Sequence, residues 1–485
     1  MIPPGDYIRI LPELVFAFFG AMVMLLDPLM DESASRRPLG ILALIGSLLA
    51  LATAFYQTGY TGAAFFGMVR VDAFSIFFHV VVAGVAALAT LASLEYFEVN
   101  GLRAGEYYGL ILLGAVGMSL MSSAVELVLI FIALEISSIS TYILAGFRRG
   151  VAASTESSLK YFLLGSFATA FFLYGVALIF GATGSTSVYA IAAALHAGSP
   201  GLLTYAAVAL MFVGLGFKVA SAPFHVWTPD VYEGAPAPVV ALMSTGPKAA
   251  AFAVLLRVLF GAAMPGWFWL VWVSAALSMT LGNLGALVQT NVKRLLAYSS
   301  IAHAGYLLVA FTGSEIGIRA AIFYAASYAV MNVGAFAIVS HLASRGERYV
   351  TLDDYAGLGR RSPVLAAALT ILLLSLIGIP ATGGFFAKFY AFAAAFQANL
   401  VWLGLIAVIN SAVATYYYLR LIVVMYMREP VSGMEPVAPA SPALAVAVVA
   451  SVAITIYLGV LPGRVLDYAA QGARDLLGAA SLAAR

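Results

Sequence analysis

Apolar runs long enough to cross a lipid bilayer recur along almost the whole chain, and this feature restricts the fold more than any other. Residues 202–216, for example, include no charged residue at all. A bilayer core about 30 Å thick needs about 20 apolar residues per helix. Only 9% of the 485 residues are charged, against roughly a quarter in an ordinary soluble domain. We therefore expect an all-α, polytopic membrane protein.

Fourteen such runs predict fourteen transmembrane helices. The first run carries Glu13 and has no small-residue cleavage site beside it, so we interpret it as a helix and not as a removable signal peptide. The runs are residues 10–27, 39–57, 71–94, 107–122, 124–147, 160–181, 203–227, 236–260, 266–289, 295–312, 320–343, 364–396, 400–427 and 442–462.

The positive charges in the loops between these runs are unevenly distributed. Lys and Arg collect on the cytoplasmic side of membrane proteins. Even-numbered loops hold only Arg70 and Arg319, whereas odd-numbered loops hold twelve such residues. This split predicts fourteen helices with both termini outside the cytoplasm. The twelve residues are Arg36, Arg37, Arg103, Arg148, Arg149, Lys293, Arg294, Arg345, Arg348, Arg360, Arg361 and Arg428.

Two segments interrupt the helical pattern at comparable places in the two halves of the chain. Pro223 lies inside the seventh run, and Pro380, Gly383 and Gly384 lie inside the twelfth. Proline removes a backbone hydrogen bond and kinks or breaks a helix. Paired broken helices are typical of transporters built from inverted repeats. We therefore predict one repeat in helices 4–8 and a second in helices 9–13, with discontinuous helices 7 and 12.

These repeats divide the chain into four parts. Helices 1–3 occupy residues 1–106, the first repeat 107–262, the second repeat 263–427, and helix 14 with a short C-terminal tail 428–485. We expect residues 463–485 of this tail to form a short interfacial helix.

Five ionisable residues lie well inside the predicted helices. A charge near the middle of a membrane is costly, so each needs a partner, a water-filled cavity or a neutral form. One such residue alone could simply lock helix packing through a hydrogen bond, but five, three of them lysines, indicate function. The five are Glu135, Lys218, Lys248, His303 and Lys388.

The chemistry of this set suits proton transfer. Burial favours the neutral form of both lysine and glutamate, whereas a nearby carboxylate favours the charged form of a lysine. Moving a glutamate towards or away from a lysine would therefore switch the lysine between holding and releasing its proton. We predict that Lys218 is a proton-binding site and that Glu135 is its modulator.

Other charged residues allow more than one interpretation. Glu126 lies near the predicted membrane surface, where an interfacial or packing role is expected. His225, Asp230 and Glu233 flank the broken seventh helix and could form either a structural cap or a water-access funnel.

Four further charges lie near the ends of predicted helices. Glu156 and Lys160 are four residues apart and are expected to form a helix pair. Asp72 could stay hydrated or contact another subunit, and Arg257 could reach the membrane surface by snorkelling.

The composition excludes several classes of protein. The net charge of +2 is too small for the clustered Lys and Arg of a nucleic-acid-binding surface. Without cysteine, no cysteine-ligated iron–sulfur cluster can form, so any redox centre coupled to this chain must lie in another chain. The five histidines are scattered and not spaced as metal ligands. We expect no nucleic acid, metal or cofactor to bind this chain.

Three long segments of the chain resemble subunit N of respiratory complex I, the proton-pumping NADH–quinone oxidoreductase. They are residues 214–252, 289–310 and 378–390, and the resemblance covers roughly residues 70–427. It implies a fourteen-helix antiporter-like fold in the membrane arm of a large complex. Four ionisable residues match the family's proton path, and a fifth matches the position that links its two half-channels. These are Glu135, Lys218, Lys248 and Lys388, followed by His303.

The resemblance also implies partners. Flavin, iron–sulfur clusters and quinone are expected in or at other subunits, with subunits M, K and J as neighbours in a bacterial inner membrane. The related subunit M has a glutamate where this chain has Lys388. The related subunit L continues into a long lateral helix, whereas about 23 residues follow the last predicted span here. Both differences favour subunit N.

Two other functions remain open at this point. A subunit of a multi-subunit sodium/proton antiporter would share the fold and the lysines, although the stretches LKYFLLGS and TPDVYEGAPAPV favour complex I. A membrane scaffold without transport would leave the five buried ionisable residues unexplained.

Overall fold

The computed structural model describes residues 3–102, 105–343, 346–431 and 436–483, which are mostly helical. Arg103, Arg345 and Arg485 lie outside the described residues.

The N-terminal part contains long helices and a short β-hairpin. Asp72 caps the helix that begins at Ala73 by accepting a hydrogen bond from the backbone N–H of Ser75 at 2.8 Å. The hairpin is absent from the all-α prediction because strands of three residues are too short to give a recognisable alternation. Helices α1–α4 are Pro4–Arg9, Leu11–Leu26, Arg37–Tyr56 and Ala73–Asn100, and the antiparallel strands β1 and β2 are Gly62–Ala64 and Val69–Val71.

The middle of the chain forms eight helices of very different lengths. Helices α5–α12 are Glu106–Ser123, Leu127–Ala145, Ala152–Thr183, Val188–Ala197, Leu202–Lys218, Thr228–Gly234, Ala237–Met243 and Gly246–Leu256. A π-helical turn, Arg257–Gly261, continues α12.

The C-terminal part begins with a long helix after a loop. Helices α13–α21 are Trp267–Leu287, Val292–Val309, Glu315–Leu342, Leu358–Arg361, Pro363–Ile377, Gly383–Gln397, Val401–Met427, Pro442–Val460 and Gly463–Ala483. The last of these confirms a helix in the predicted tail, and it packs against α4 and α15.

Ten of the described helical segments are long and apolar enough to cross a membrane. The other four predicted spans are residues 107–122, 203–227, 295–312 and 364–396. Two of them correspond to α5 and α14, which have 18 residues each. The other two are broken, and their longest pieces have 17 and 15 residues. The count of fourteen spans therefore stays a prediction.

Both predicted interruptions are present in the structure. Helix α9 ends at Lys218, and helical structure resumes only at Thr228. Helix α17 ends at Ile377, where Gly378 has a φ of 95° that favours glycine. A Cβ on Gly384 would overlap the backbone oxygen of Ser375 in the preceding helix. The two breaks thus bring the ends of helices together with a lysine beside each.

The centre of the molecule is formed by the most deeply buried helices. The apolar stretch of residues Ala237–Gly261 is completely buried, and the apolar stretch of α15 is 94% buried. Helix α15 packs against α4, α11, α14, α17, α18, α20 and α21. Polar side chains on these central helices must therefore find their partners within the protein.

Candidate functional site

Lys218 is the last residue of α9, and its side chain is buried at the break. Its Nζ donates a hydrogen bond to Ser138 Oγ on α6 at 2.8 Å. The same nitrogen lies 5.8 Å and 5.7 Å from the ring centres of Tyr142 and Tyr161. Aromatic faces attract cations, and the C-terminus of a helix does so as well. The site can therefore hold an ammonium group without a carboxylate in contact.

Glu135 lies on α6, three residues before Ser138, so the two residues share one face of the helix. Its Oε1 is shielded from solvent and has no hydrogen-bond partner among the described residues. No ion pair between described residues joins Glu135 to Lys218. The carboxylate thus lies on the face of α6 that carries the hydroxyl acceptor of Lys218, without an ion pair to the lysine among the described residues.

Glu135 also interrupts an exposed apolar stripe on α6. The stripe consists of Val128, Ile132, Ile139 and Ile143, which are each 41–52% exposed. Residues spaced by three or four positions lie on one face of a helix. A carboxylate therefore sits in the middle of an outward-facing apolar surface.

Lys248 is in the first turn of α12, just after the interruption of the helix between α11 and α12. Its Nζ donates to the Oγ and the backbone oxygen of Ser300 on α14, at 2.5 Å and 2.9 Å. The Tyr328 hydroxyl on α15 donates to the same Oγ at 2.8 Å. Ser300 therefore joins a lysine to a tyrosine in the core.

His303 lies one turn after Ser300 and is hydrogen-bonded through both ring nitrogens. Nδ1 is 2.8 Å from the Tyr324 hydroxyl, and Nε2 is 3.3 Å from the Tyr418 hydroxyl. A small cavity is lined by Lys248, His303 and Tyr328 together. A neutral imidazole donates through one nitrogen and accepts through the other. This histidine can therefore pass a proton between the two hydroxyl groups by exchanging tautomers.

Lys388 lies on α18, next to the second break. Its Nζ donates to the backbone oxygen of Ile377, the last residue of α17, at 2.8 Å, and to Ser411 Oγ on α19 at 3.0 Å. It also lies 4.7 Å from the ring centre of Tyr306. The break supplies a carbonyl oxygen that no helical N–H occupies, and the lysine binds it. A groove lined by Lys388 and Phe389 reaches the surface here.

The structure brings three of the five predicted residues into one cluster. His303 lies between Lys248 and Lys388, because its ring centre is 5.1 Å from that of Tyr328 and 5.6 Å from that of Tyr306. These two tyrosines are the ring partners of the two lysines.

The Lys218 site is separate from this cluster, and one tyrosine lies between them. The Tyr232 ring lies 6.0 Å from that of Trp227, which stacks on Tyr161 beside Lys218 at 4.4 Å, and its hydroxyl lies near Ser300, the acceptor of Lys248. Tyr232 is completely buried. Tyr232 is therefore placed to connect the two sites.

Each of the three lysines donates to a serine hydroxyl on another helix and faces a tyrosine ring. These hydroxyl groups cannot be recognised as lysine partners from the sequence. Serines in membrane helices commonly hydrogen-bond to their own helix, and the paired positions are 80, 52 and 23 residues apart, so no spacing rule links them. The serines are Ser138, Ser300 and Ser411.

Asp230 and Glu233 belong to an ion-pair network at one end of the molecule. Lys160 pairs with both Glu156 and Asp230 at 2.7 Å, which confirms the predicted helix pair. Arg294 pairs with Asp230 and Glu233, also at 2.7 Å. These contacts tie the short helix α10 to α7 and α14, so the structural interpretation of the two carboxylates is favoured over a water funnel.

Glu126 and His225 have simpler environments. Glu126 accepts a hydrogen bond from the Leu129 backbone at 2.7 Å and so caps α6, in agreement with a packing role. The buried Nδ1 of His225 has no hydrogen-bond partner among the described residues.

The snorkelling predicted for Arg257 is wrong. The side chain is completely buried, and its two terminal nitrogens donate to the Asp72 carboxylate at 3.1 Å and 3.0 Å. Its Nε donates to the Ser122 backbone oxygen. The expectation for Asp72 is wrong as well, because its carboxylate is buried and binds Arg257 through both oxygens. The Arg257 charge, which was expected at the membrane surface, is therefore balanced by Asp72 inside the protein.

Comparisons with known proteins agree on one family. Residues 124–414 match the family described as "NADH:quinone oxidoreductase/Mrp antiporter, TM". The chain is 66% identical to a protein from Koribacter versatilis (strain Ellin345) named NADH-quinone oxidoreductase subunit N 2, with 98% of each chain covered. A chain of respiratory complex I from Thermus thermophilus with bound aureothin is 41% identical. Its TM-score is 0.80, with 95% of this chain and 100% of that chain covered.

A chain of the membrane-bound sulfane sulfur reductase, an archaeal respiratory membrane complex, has a TM-score of 0.85 at 26% identity, with 99% of both chains covered. Chains of two different respiratory complexes therefore share this fold, so the fold alone does not identify the family. The sequence identity to curated relatives over nearly the whole length does identify it. The chain belongs to the NADH:quinone oxidoreductase/Mrp antiporter transmembrane family and, within it, to the NADH-quinone oxidoreductase subunit N family.

Proposed function

We propose that this chain carries protons across the membrane as subunit N of an NADH–quinone oxidoreductase. The observation that carries the proposal is the presence of three lysines, each at most 5% exposed, that are held by hydroxyl groups and not by carboxylates. A lysine held in this way can give up its proton without leaving an unpaired buried carboxylate. The names of the curated relatives support the electron donor and acceptor.

The five ionisable residues take different roles in this proposal. Lys218 holds a proton at the first break, and Glu135 controls it by moving closer or away, since a carboxylate favours the charged form of a lysine. Lys248 and His303 pass the proton through the shared cavity, and Lys388 ends the path at the second break.

The proposed arrangement in the membrane follows the sequence prediction. Fourteen helices cross a bacterial inner membrane, both termini lie on the outer side, and helices 4–8 and 9–13 form inverted repeats. The two broken helices with a lysine beside each break support this arrangement.

The proposed partners are other membrane subunits of the complex, with subunits M, K and J as neighbours. Flavin, iron–sulfur clusters and bound quinone belong to partner chains, and this chain carries out no redox chemistry. The exposed apolar stripe around Glu135 and the groove beside Lys388 support contacts at both ends of the proton path.

Substitution of Lys218 tests the proton path in the intact complex. In inverted membrane vesicles, we expect Lys218→Met to lower quinone-dependent NADH oxidation and proton pumping together, by roughly a hundredfold, because a proton-transfer group is lost. Glu135→Asp should be milder than Glu135→Ala because it keeps a carboxylate. The control is Arg360→Gln, which removes an exposed cation that pairs with Glu429.

The proton-site assignment fails if Lys218→Met pumps at the wild-type rate and stoichiometry. Equal damage from Glu135→Asp and Glu135→Ala would contradict the role of the charge.

Purification of the tagged chain from gently solubilised membranes tests the assembly. One large particle with flavin, iron–sulfur clusters and NADH:quinone activity is the expected result. A colourless assembly of small hydrophobic subunits would instead assign the same buried residues to sodium/proton exchange.

A further inference from the structure

A deep apolar groove lies between α3, α4, α15, α20 and α21, away from the proton path. Its volume is about 510 Å³, and nearly all of the surface that lines it is apolar. Its walls include Leu51, Phe77, Leu88, Val330 and Leu458. A concave apolar surface of this size on a membrane protein indicates a bound hydrophobic molecule.

The groove has the depth of one leaflet of a bilayer. Along α4 it is lined from Ile76 to Leu88, which at 1.5 Å per residue is roughly 18 Å. Half of a hydrocarbon core is roughly 15 Å. The groove can therefore hold an extended acyl chain from the middle of the membrane to its surface.

Polar groups are found at one end of the groove only. Thr58 follows the last turn of α3, and Arg464 and Tyr468 lie on the first turns of α21. Arg464 is exposed, and no ion pair among the described residues involves it. A guanidinium group beside hydroxyl groups recognises a phosphate. This end therefore suits a phospholipid head group better than the uncharged ring of a quinone.

Gly84 keeps the middle of the groove open. A Cβ built on this residue would meet no atom within 4 Å, although glycine inside a helix costs about 1 kcal/mol relative to alanine. A larger side chain here would occupy the groove without disturbing the packing of α4.

We propose that this groove binds one phospholipid, with an acyl chain along α4 and its phosphate at Arg464. The lipid fills a gap between the N-terminal helices and the central helix α15 that the protein itself leaves open. The inference is independent of the proton path, since none of the five proton-transfer residues lines the groove.

Filling the groove provides the first test. The intact complex carrying Gly84→Leu is purified in mild detergent, and its phospholipids are counted by mass spectrometry. We expect one phospholipid fewer per chain than in the wild type. The matched control is Gly181→Leu, which places the same side chain on an exposed face of α7, where the nearest atom to a Cβ is 3.7 Å away.

Removing the charge at the rim provides the second test. The complex is placed in nanodiscs of phosphatidylethanolamine and phosphatidylglycerol, and exchange of the retained lipid for labelled lipid is followed. We expect Arg464→Gln to weaken retention about fivefold, since one cation near the surface contributes about 1 kcal/mol. Arg474→Gln, on the same helix but paired with Glu315, should not change it.

Two results would overturn the proposal. One is the same phospholipid count in Gly84→Leu, Gly181→Leu and the wild type. The other is loss of a quinone or a protein, and not of a phospholipid, from the Gly84→Leu complex.

Discussion

At the scale of single residues, the lysines depend on hydroxyl groups that carry no charge. Ser300 is the clearest case because it accepts hydrogen bonds from both Lys248 and Tyr328. A hydrogen bond to a charged group contributes about 1.5–3 kcal/mol. The serines therefore help to set the affinity of each lysine for its proton without fixing the proton there, as a carboxylate in contact would.

We expect Ser300→Ala to move the pH profile of proton pumping by about one to two pH units towards lower pH, because the ammonium form of Lys248 loses an acceptor. Ser300→Thr restores a hydroxyl group and should recover the wild-type profile. The measurement is the initial rate of pumping in vesicles across a pH series. Ser451→Ala is the control, since this hydroxyl donates only within α20; an unchanged profile in Ser300→Ala would refute the role.

Sequence reasoning could identify the five ionisable residues because a charge in an apolar run is costly wherever it lies. It could not find the serines or Tyr232, whose importance depends on which helices meet. It also misplaced Arg257, because its partner Asp72 is 185 positions away in the chain.

At the scale of helices, buried and surface ion pairs hold short elements in position. The Asp72–Arg257 pair joins the start of α4 to the π-helical turn after α12. Proline and glycine made the two broken helices predictable, since their effect on the backbone is local. The β-hairpin and the separation of α11 from α12 were not predictable, because neither has a comparable local signal.

We expect Asp72→Asn to lower the stability of the solubilised complex by about 3–5 kcal/mol, because Arg257 is left as an uncompensated buried charge. The double variant Asp72→Asn/Arg257→Met should recover much of this loss. Unfolding in denaturant, followed by circular dichroism, measures both. If the double variant is no more stable than the single variant, the buried charge is not the cause.

Glu347, in the loop after α15, is a further structural carboxylate. Burial raises the pKa of this group, but Lys293 at 2.6 Å and hydrogen bonds from Ala237 N–H and the Tyr96 hydroxyl outweigh it, so the pKa is lower than its ordinary value. The stabilisation is therefore complete above about pH 4.3 and is lost as the pH falls through the folded-state pKa.

We expect Glu347→Gln to remove this acid-dependent loss while leaving the other carboxylates unaffected. Thermal unfolding of the solubilised complex between pH 3 and pH 7 would show a flatter dependence on pH in the variant. An identical pH dependence in the two proteins would mean that Glu347 titrates equally in the folded and unfolded states.

At the scale of the whole molecule, the proposed proton path has Lys248 and His303 in the buried centre, whereas exposed apolar surfaces lie beside Glu135 and Lys388. The sequence was sufficient for the membrane class and the family, and it singled out the five ionisable residues on which the proposed proton path rests. The placement of helices around α15 follows from packing between distant segments, which periodicity does not encode.

The residues of the proposed path predict that proton pumping does not depend on sodium. We expect replacement of sodium by choline to leave quinone-driven proton pumping in vesicles unchanged, because lysine and histidine bind protons and offer no ring of oxygen ligands for a metal cation. The rate is measured with a pH-sensitive dye. Pumping that rises in proportion to sodium would contradict the proton path and favour exchange.

The cavity shared by Lys248 and His303 has room for about one water molecule. A hydrated cation cannot pass through so small a space, whereas a proton needs only a succession of hydrogen bonds. At this point the proposed path would therefore carry protons while excluding a hydrated cation. Such selectivity would keep other ions from dissipating the membrane potential through the same path.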